Sequence, residues 1–251
     1  MLPALVTDTV SQDLGRAVHY TLLWGLEGVV LRTVGGPDER VPFVNEARLR
    51  TRLTEADLPV VAVDPGLFEG APERRAVWMN DLAAFDETAA FCRRVGCGIV
   101  LVGALAPPDA PPDLDAAAGV LREAGAFAAR GSLRLAVRNE GACASGEGLA
   151  DLLARVDHPA VGAAWQPAEA VAAGHDPAAG LAALHESPGR ITYVAVRDVE
   201  GAAGWPGQLA ALARAGYEGP LGLEVHGRAQ DGLKSATALL TMRRAALREA
   251  R

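Results

Sequence analysis

The chain has 251 residues, 50% of them hydrophobic and 22% charged, with a formal net charge of −7. This length and apolar content suit one barrel of strands and helices, so we expect residues 1–251 to form a single domain. The negative charge repels phosphate backbones and therefore disfavours a general nucleic-acid-binding protein.

Eight short apolar runs rich in β-branched residues recur along the chain, and each is predicted to be a strand. Their starts are 24 to 39 residues apart, about the length that a strand–helix–strand unit needs. The segments between them have helical spacing; Leu149, Leu152, Leu153 and Val156, for example, lie on one helix face. The predicted strands cover residues 4–10, 28–32, 59–64, 98–105, 132–140, 161–166, 191–198 and 220–226.

Eight strands alternating with helices predict a closed parallel (β/α)8 barrel of the TIM type, in the α/β class. An open doubly wound sheet is the alternative, but no Gly-x-Gly-x-x-Gly follows the first predicted strand. TIM barrels carry their chemistry at the carboxyl ends of the strands, so polar residues there are the candidates for function. Asp64 ends the third predicted strand beside Pro65-Gly66, and we interpret these three as turn residues.

The three cysteines, Cys92, Cys97 and Cys143, are odd in number and form no Cys-x-x-Cys pair, which predicts neither a disulfide framework nor a structural zinc site. The N-terminus lacks the basic residues of a secretory leader. No apolar stretch approaches the roughly 20 residues of a membrane helix. We therefore expect a cytoplasmic protein that does not contact a membrane.

Several stretches near the predicted strand ends carry a resemblance to a known family. They are residues 25–32 (GLEGVVLR), Arg197-Asp198, Trp205-Pro206, residues 216–219 (GYEG) and residues 221–224 (LGLE). In order and spacing they resemble motifs of the sugar phosphate isomerase/epimerase family, the xylose isomerase-like TIM barrels. The resemblance implies one divalent metal, held by a Glu, an Asp, a His and a Glu on strands five to eight, that polarises a sugar carbonyl.

Most of these metal ligands are replaced here. The fifth-strand motif reads Arg138-Asn139-Glu140, the sixth-strand Asp falls on Gln166, and the seventh-strand His falls on Ala195, or on Tyr193 if the register is shifted by two. Only Glu224 matches. One carboxylate and one amide would hold a divalent ion poorly, and an arginine would repel it. We therefore expect a divergent member of the family with no metal or other cofactor.

Seven polar residues are predicted to face the barrel mouth, and they allow two interpretations. One interpretation is a plug in which buried charges pair with each other; the other is that the arginines bind an anionic ligand through bidentate hydrogen bonds. Arg138 would pair with Glu224 or Glu140. The seven residues are Arg32, Arg138, Glu140, Gln166, Arg197, Glu224 and His226.

For catalysis, the candidate proton-transfer groups are Glu224 together with Glu140 or His226. Arg138 would stabilise developing negative charge, and the candidate substrate-binding residues are Arg32, Arg138, Gln166 and Arg197.

Two functions stay open at this point. The resemblance implies an isomerase or epimerase of a small sugar or sugar phosphate, working without the usual metal. The alternative is a catalytically silent barrel that binds a small anionic metabolite or a partner protein. An abasic-site endonuclease, which shares the superfamily, would need a histidine-rich metal cluster and a basic surface, and five scattered histidines and the net charge of −7 argue against it. Relatives often pair through their barrel faces, which leaves a homodimer open.

Overall fold

The computed structural model describes residues 1–36, 38–107, 112–186 and 191–250. Eight parallel strands follow one another around a closed barrel in sequence order, and the last pairs with the first. This confirms the predicted (β/α)8 barrel. The strands are β1 (Leu2–Val6), β2 (Gly28–Leu31), β3 (Val60–Leu67), β4 (Ile99–Val102), β5 (Arg134–Arg138), β6 (Val161–Trp165), β7 (Ile191–Val196) and β8 (Pro220–Leu223).

Helices connect successive strands and cover the outside of the barrel. Several begin at a side chain that accepts a hydrogen bond from a free backbone N–H of the first turn, as Asp13, Asn45 and Ser145 do. The helices are α1 (Leu14–Leu23), α2 (Glu46–Glu55), α3 (Arg75–Val95), α4 (Leu114–Arg130), α5 (Gly146–Val156), α6 (Pro167–Ala172), α7 (Pro177–His185), α8 (Trp205–Arg214) and α9 (Ala229–Glu249).

Seven of the eight strands end earlier than predicted, and β3 ends later. The first strand begins at Leu2 and ends at Val6, and residues 7–9 form a 3-10 turn in place of the predicted continuation. β8 likewise ends at Leu223, three residues early. Residue-by-residue strand pairing stops at these points, and the chain continues into the loops of the barrel mouth. β3 is longer than predicted because Leu67 still pairs with Val102 of β4.

The barrel interior is lined mainly by small side chains. Its buried cluster contains five alanines and only one aromatic residue, Tyr193. The larger apolar side chains, such as Trp165, Phe85 and Phe91, pack in the layer between the strands and the helices. Alanines fill little of the barrel axis, so space is left toward the mouth. The interior cluster consists of Ala4, Val6, Val30, Ala62, Leu101, Ala136, Ala164, Tyr193 and Ala195.

All three cysteines are buried free thiols. Among the helices of the described ranges, none combines the length and the apolar character needed to cross a bilayer.

Candidate functional site

A cavity of about 590 Å³ opens at the barrel mouth, where the carboxyl ends of the strands meet. Its apolar floor contains Leu101, Ala164, Tyr193 and Ala195, from β4, β6 and β7. Charged side chains line most of the rest. These are the arginines Arg32, Arg40, Arg138 and Arg197 and the carboxylates Asp64, Glu69, Glu140, Glu169 and Glu224.

Arg138 lies at the end of β5 and is surrounded by three carboxylates. Its Nη1 is 2.9 Å from Oδ2 of Asp64, its Nη2 is 2.9 Å from Oε1 of Glu69, and its Nε is 3.2 Å from Oε2 of Glu140. Only 13% of its side chain is exposed. Burial would lower the pKa of Arg138, but the charges of these carboxylates raise it above the ordinary value. The side chain is therefore a permanent cation surrounded by three carboxylates.

Asp64 connects Arg138 to Arg40, which lies in the loop between β2 and α2. Its Oδ1 accepts a hydrogen bond from Nη2 of Arg40 at 3.0 Å and from the backbone N–H of Gly66 at 3.1 Å. Arg40 reaches the site because Thr33 and Arg40 pair as an antiparallel bridge that folds the loop back. Gly66 has a φ of +73°, and a Cβ there would overlap the guanidinium of Arg40. Glycine at this position thus leaves room for the arginine.

Glu140 lies at the cavity wall, and its surroundings change its pKa. Burial raises the pKa of Glu140, and the charge of Glu69 adds to the rise, while Arg138 and a hydrogen bond from the backbone N–H of Ala104 oppose it. That N–H donates to Oε1 at 3.2 Å. A carboxyl group with a raised pKa can hold a proton and release it closer to neutral pH, which suits proton transfer.

A second cluster of charged side chains is centred on Arg197, which directly follows β7. Its Nε and Nη2 both donate to Oε2 of Glu224, at 2.9 and 2.6 Å, and its Nη1 donates to Oε1 of Glu169 at 2.6 Å. Glu224 follows β8 with 10% of its side chain exposed. His226 lies at the rim: its Nε2 is 3.7 Å from Oε2 of Glu224, but 63% of its side chain is exposed and it is not part of the cavity lining described above.

The remaining two predicted residues are fixed by neighbours at the strand ends. Nε of Arg32 donates to Oδ2 of Asp8 at 2.8 Å. Gln166 follows β6, and its backbone N–H and carbonyl are both bonded by the buried amide of Asn139, at 2.6 and 3.0 Å. Asn139 therefore ties the end of β5 to the end of β6 and fixes the backbone from which Gln166 reaches the cavity.

The structure thus brings together six of the seven predicted mouth residues, all except His226, as lining of one cavity. Arg138 pairs with Glu140 as predicted, whereas Glu224 pairs with Arg197. Sequence reasoning missed Arg40, Glu69, Glu169 and the true role of Asp64. Asp64 had a detectable signal, its place at the end of a predicted strand, but the following Pro-Gly favoured a turn. In the structure β3 continues through these three residues to Leu67. Arg40 and Glu69 lie in loops that have no periodicity.

The residues that the resemblance places at the family's metal-ligand positions do not suit a divalent ion. The fifth-strand position holds the guanidinium of Arg138, the seventh-strand position holds Ala195, and Oε2 of Glu224 already accepts two N–H groups. Within residues 1–36, 38–107, 112–186 and 191–250, no group of three or more His, Cys, Asp or Glu side chains is arranged to hold a metal. Divalent ions require several such ligands.

The family model for xylose isomerase-like TIM barrels matches residues 20–245. No functionally curated protein matches the chain in sequence. Among solved structures, a D-tagatose 3-epimerase-like protein superposes with a TM-score of 0.81 at 15% identity, over 100% of both chains. The 3-keto-D-glucoside 4-epimerase of E. coli gives 0.75 at 15% identity, over 97% of this chain and 100% of its own.

A fusion protein of a xylose isomerase-like TIM barrel and a 4-hydroxyphenylpyruvate dioxygenase gives a TM-score of 0.80 at 21% identity, over 99% of this chain. The present chain spans 44% of the length of that fusion protein. At these identities the likenesses show the fold alone.

Proposed function

The chain belongs to the xylose isomerase-like TIM barrel family, and on that premise we propose that it is an isomerase or epimerase of a small sugar that works without a divalent metal. The observation that carries the proposal is the position of Arg138, a buried cation within 3.2 Å of three carboxylates at the barrel mouth. Its guanidinium supplies the positive charge that the resemblance assigns to a metal.

The charges of the cavity favour an uncharged sugar. Each lining arginine already pairs with at least one carboxylate, and four arginines face five carboxylates. An anionic ligand would have to displace these carboxylates and would meet an excess of negative charge. Sugar hydroxyls both donate and accept hydrogen bonds, so they can bind beside intact ion pairs. The volume of about 590 Å³ is in the range of small-molecule sites.

Two carboxyl groups can move the proton. Glu140 and Glu224 follow strands that are separated by β6 and β7, so they face the cavity from different sides. One carboxylate removes the proton from the carbon next to the sugar carbonyl and leaves an enediolate; a carboxylic acid then returns a proton to carbon, which restores the carbonyl in the product. Three of the five N–H groups of Arg138 are used in the bonds to carboxylates. The other two can donate to the oxygen that becomes negative.

One observation favours a second candidate, a catalytically silent barrel that binds a small metabolite or a partner protein. Each charged side chain of the cavity lining has a charged partner within the protein, as expected of a plug of ion pairs. Such a plug would bind a ligand or stabilise the fold without proton transfer.

Solvent deuterium exchange separates the two candidates. The protein, treated with a chelator and desalted, is incubated in D2O with D-tagatose, D-fructose and D-ribulose, and with fructose 6-phosphate and ribulose 5-phosphate. We expect deuterium at the carbon next to the carbonyl of an uncharged sugar, at a rate that manganese does not change. Exchange that requires manganese would overturn metal independence, and exchange with the phosphates alone would identify an anionic substrate. Binding without exchange would identify the silent barrel.

A further inference from the structure

Tyr193 crosses the floor of the cavity. It lies in the middle of β7 with 2% of its surface exposed, and its side chain points into the barrel among the interior residues. Its hydroxyl lies against Gly222 of β8, where a Cβ would overlap the oxygen. Gly222 and Glu224 are two residues apart on the chain, and residues two apart share a face of a strand. The hydroxyl is therefore close to the part of β8 from which Glu224 enters the cavity.

This hydroxyl makes no hydrogen bond to another described residue, and because its oxygen is not one of the enclosed polar atoms that lack a partner, it is open to the cavity that Tyr193 lines. Tyr217 shows the usual arrangement, since its hydroxyl donates to the carbonyl oxygen of Pro220 at 2.7 Å. Buried tyrosine hydroxyls usually find a partner. Ala164 and Ala195, the other floor residues of β6 and β7, carry no polar side chain that could provide one. A partner for Tyr193 has to come from the contents of the cavity.

We propose that the hydroxyl of Tyr193 donates the hydrogen bond that fixes the inner end of the sugar, with one sugar oxygen on the cavity floor between Tyr193 and Glu224. This inference rests on the proposed function of the cavity as a sugar site. It makes Tyr193 a binding residue that sets the depth and orientation of the ligand. A site built around one such hydroxyl discriminates against analogues that lack the matching oxygen.

The ionisation of Tyr193 agrees with a donor role. Burial raises its pKa well above the ordinary value, and the negative charges of Glu224 and Asp64 act in the same direction, with Arg32 opposing them. The hydroxyl therefore keeps its proton at neutral pH. It can donate to a carbonyl or hydroxyl oxygen, but it cannot act as a base.

The test compares the wild type with Tyr193→Phe and with a control, Tyr217→Phe, whose hydroxyl bonds the backbone outside the cavity floor. Dissociation constants for D-tagatose, D-fructose and D-ribulose are measured by calorimetry, and melting temperatures are measured without ligand. We expect Tyr193→Phe to weaken sugar binding about tenfold, the loss of one hydrogen bond, without lowering the melting temperature. Tyr217→Phe should leave binding unchanged and lower the melting temperature.

The outcomes separate this inference from the proposed function. Equal affinity of the wild type and Tyr193→Phe would overturn the inference and leave the cavity a sugar site. If the wild type binds none of the sugars, the proposed function fails, and the inference fails with it. A loss of binding that is the same in both variants would show a structural effect of removing any tyrosine hydroxyl, and would also overturn the inference.

Discussion

The guanidinium of Arg138, at the end of β5, donates to the carboxylate of Asp64, in β3, at 2.9 Å. β4 lies between these two strands, so the hydrogen bond passes over the carboxyl end of β4. Both side chains are largely buried, with 13% and 7% exposed. This pair organises one side of the cavity, because Arg40, Glu69 and Glu140 all contact one of its two members.

Removing Arg138 should destabilise the fold strongly. Arg138→Met keeps much of the side-chain volume but leaves Asp64, Glu69 and Glu140 close together without their shared cation. Breaking a buried ion pair by removing one partner costs about 3–5 kcal/mol, and urea unfolding measures it. The control is Arg155→Met, an exposed arginine that also contacts two carboxylates, Asp115 and Asp151; it should change stability little. Equal effects of the two variants would contradict the structural role of Arg138.

The protein should not retain a divalent metal. After manganese loading and desalting, elemental analysis should find no near-stoichiometric ion, because Arg138 repels cations from the fifth-strand position and Glu224 is bonded by Arg197. Metal sites need several carboxylate or imidazole ligands. One ion bound per chain would show that other residues complete a site, and the metal-dependent chemistry of the family would then apply.

Glu224→Gln should abolish proton transfer and preserve sugar binding. The amide keeps the size of the side chain but cannot accept a proton, and such groups contribute about 10²- to 10⁴-fold to rate. Deuterium exchange into the bound sugar and calorimetric binding are measured on the same preparation. Glu123→Gln, on the exposed face of α4, is the control. Normal exchange in Glu224→Gln would remove Glu224 from the mechanism.

Glu140 should give stability a distinctive pH dependence. Burial raises its pKa in the folded protein, so the folded state binds this proton more tightly than the unfolded chain does. The stabilising contribution is complete below the ordinary Glu pKa, about 4.3, and is lost as the pH rises through the folded pKa. Glu140→Gln mimics the protonated group and lacks this loss.

The free energy of unfolding of Glu140→Gln, relative to the wild type, should therefore increase with pH from about 4.3 upward. Denaturant unfolding over a pH series measures this difference. A difference that decreases with pH would mean that the fold lowers the pKa of Glu140.

Two glycine-to-alanine substitutions should change the free energy of unfolding in opposite directions. Gly222→Ala places a methyl group against the hydroxyl of Tyr193, and overpacking of this kind costs about 1–3 kcal/mol. Gly119→Ala, on the exposed side of α4 with no atom near the added Cβ, should instead stabilise by about 0.5–1 kcal/mol, because alanine favours the helix. Thermal or urea unfolding compares them. If Gly222→Ala leaves the free energy of unfolding unchanged, Tyr193 can move from its position on the cavity floor.

The order of strands and helices could be predicted from the sequence because both signals are local. Leu149, Leu152, Leu153 and Val156 are all buried on α5, as their helical spacing predicts. Spacing of successive strands then limits the chain to a parallel barrel, and a barrel places strand ends at one mouth. Seven candidate residues are predicted at this mouth, and six of them line the cavity, all except His226: Arg32, Arg138, Glu140, Gln166, Arg197 and Glu224.

Which charges pair was decided only by the tertiary structure. Arg138 and Asp64 are 74 residues apart, and Arg197 and Glu224 are 27 apart. Periodicity within one helix or strand indicates which face a side chain occupies. It does not indicate which side chain, distant in sequence, that residue contacts. Ion pairs form between whichever long side chains reach across a shared cavity, and that reach depends on loop paths such as the one that brings Arg40 to Asp64. The sequence therefore determined the barrel and its mouth, and three-dimensional packing decided the arrangement of charges within it.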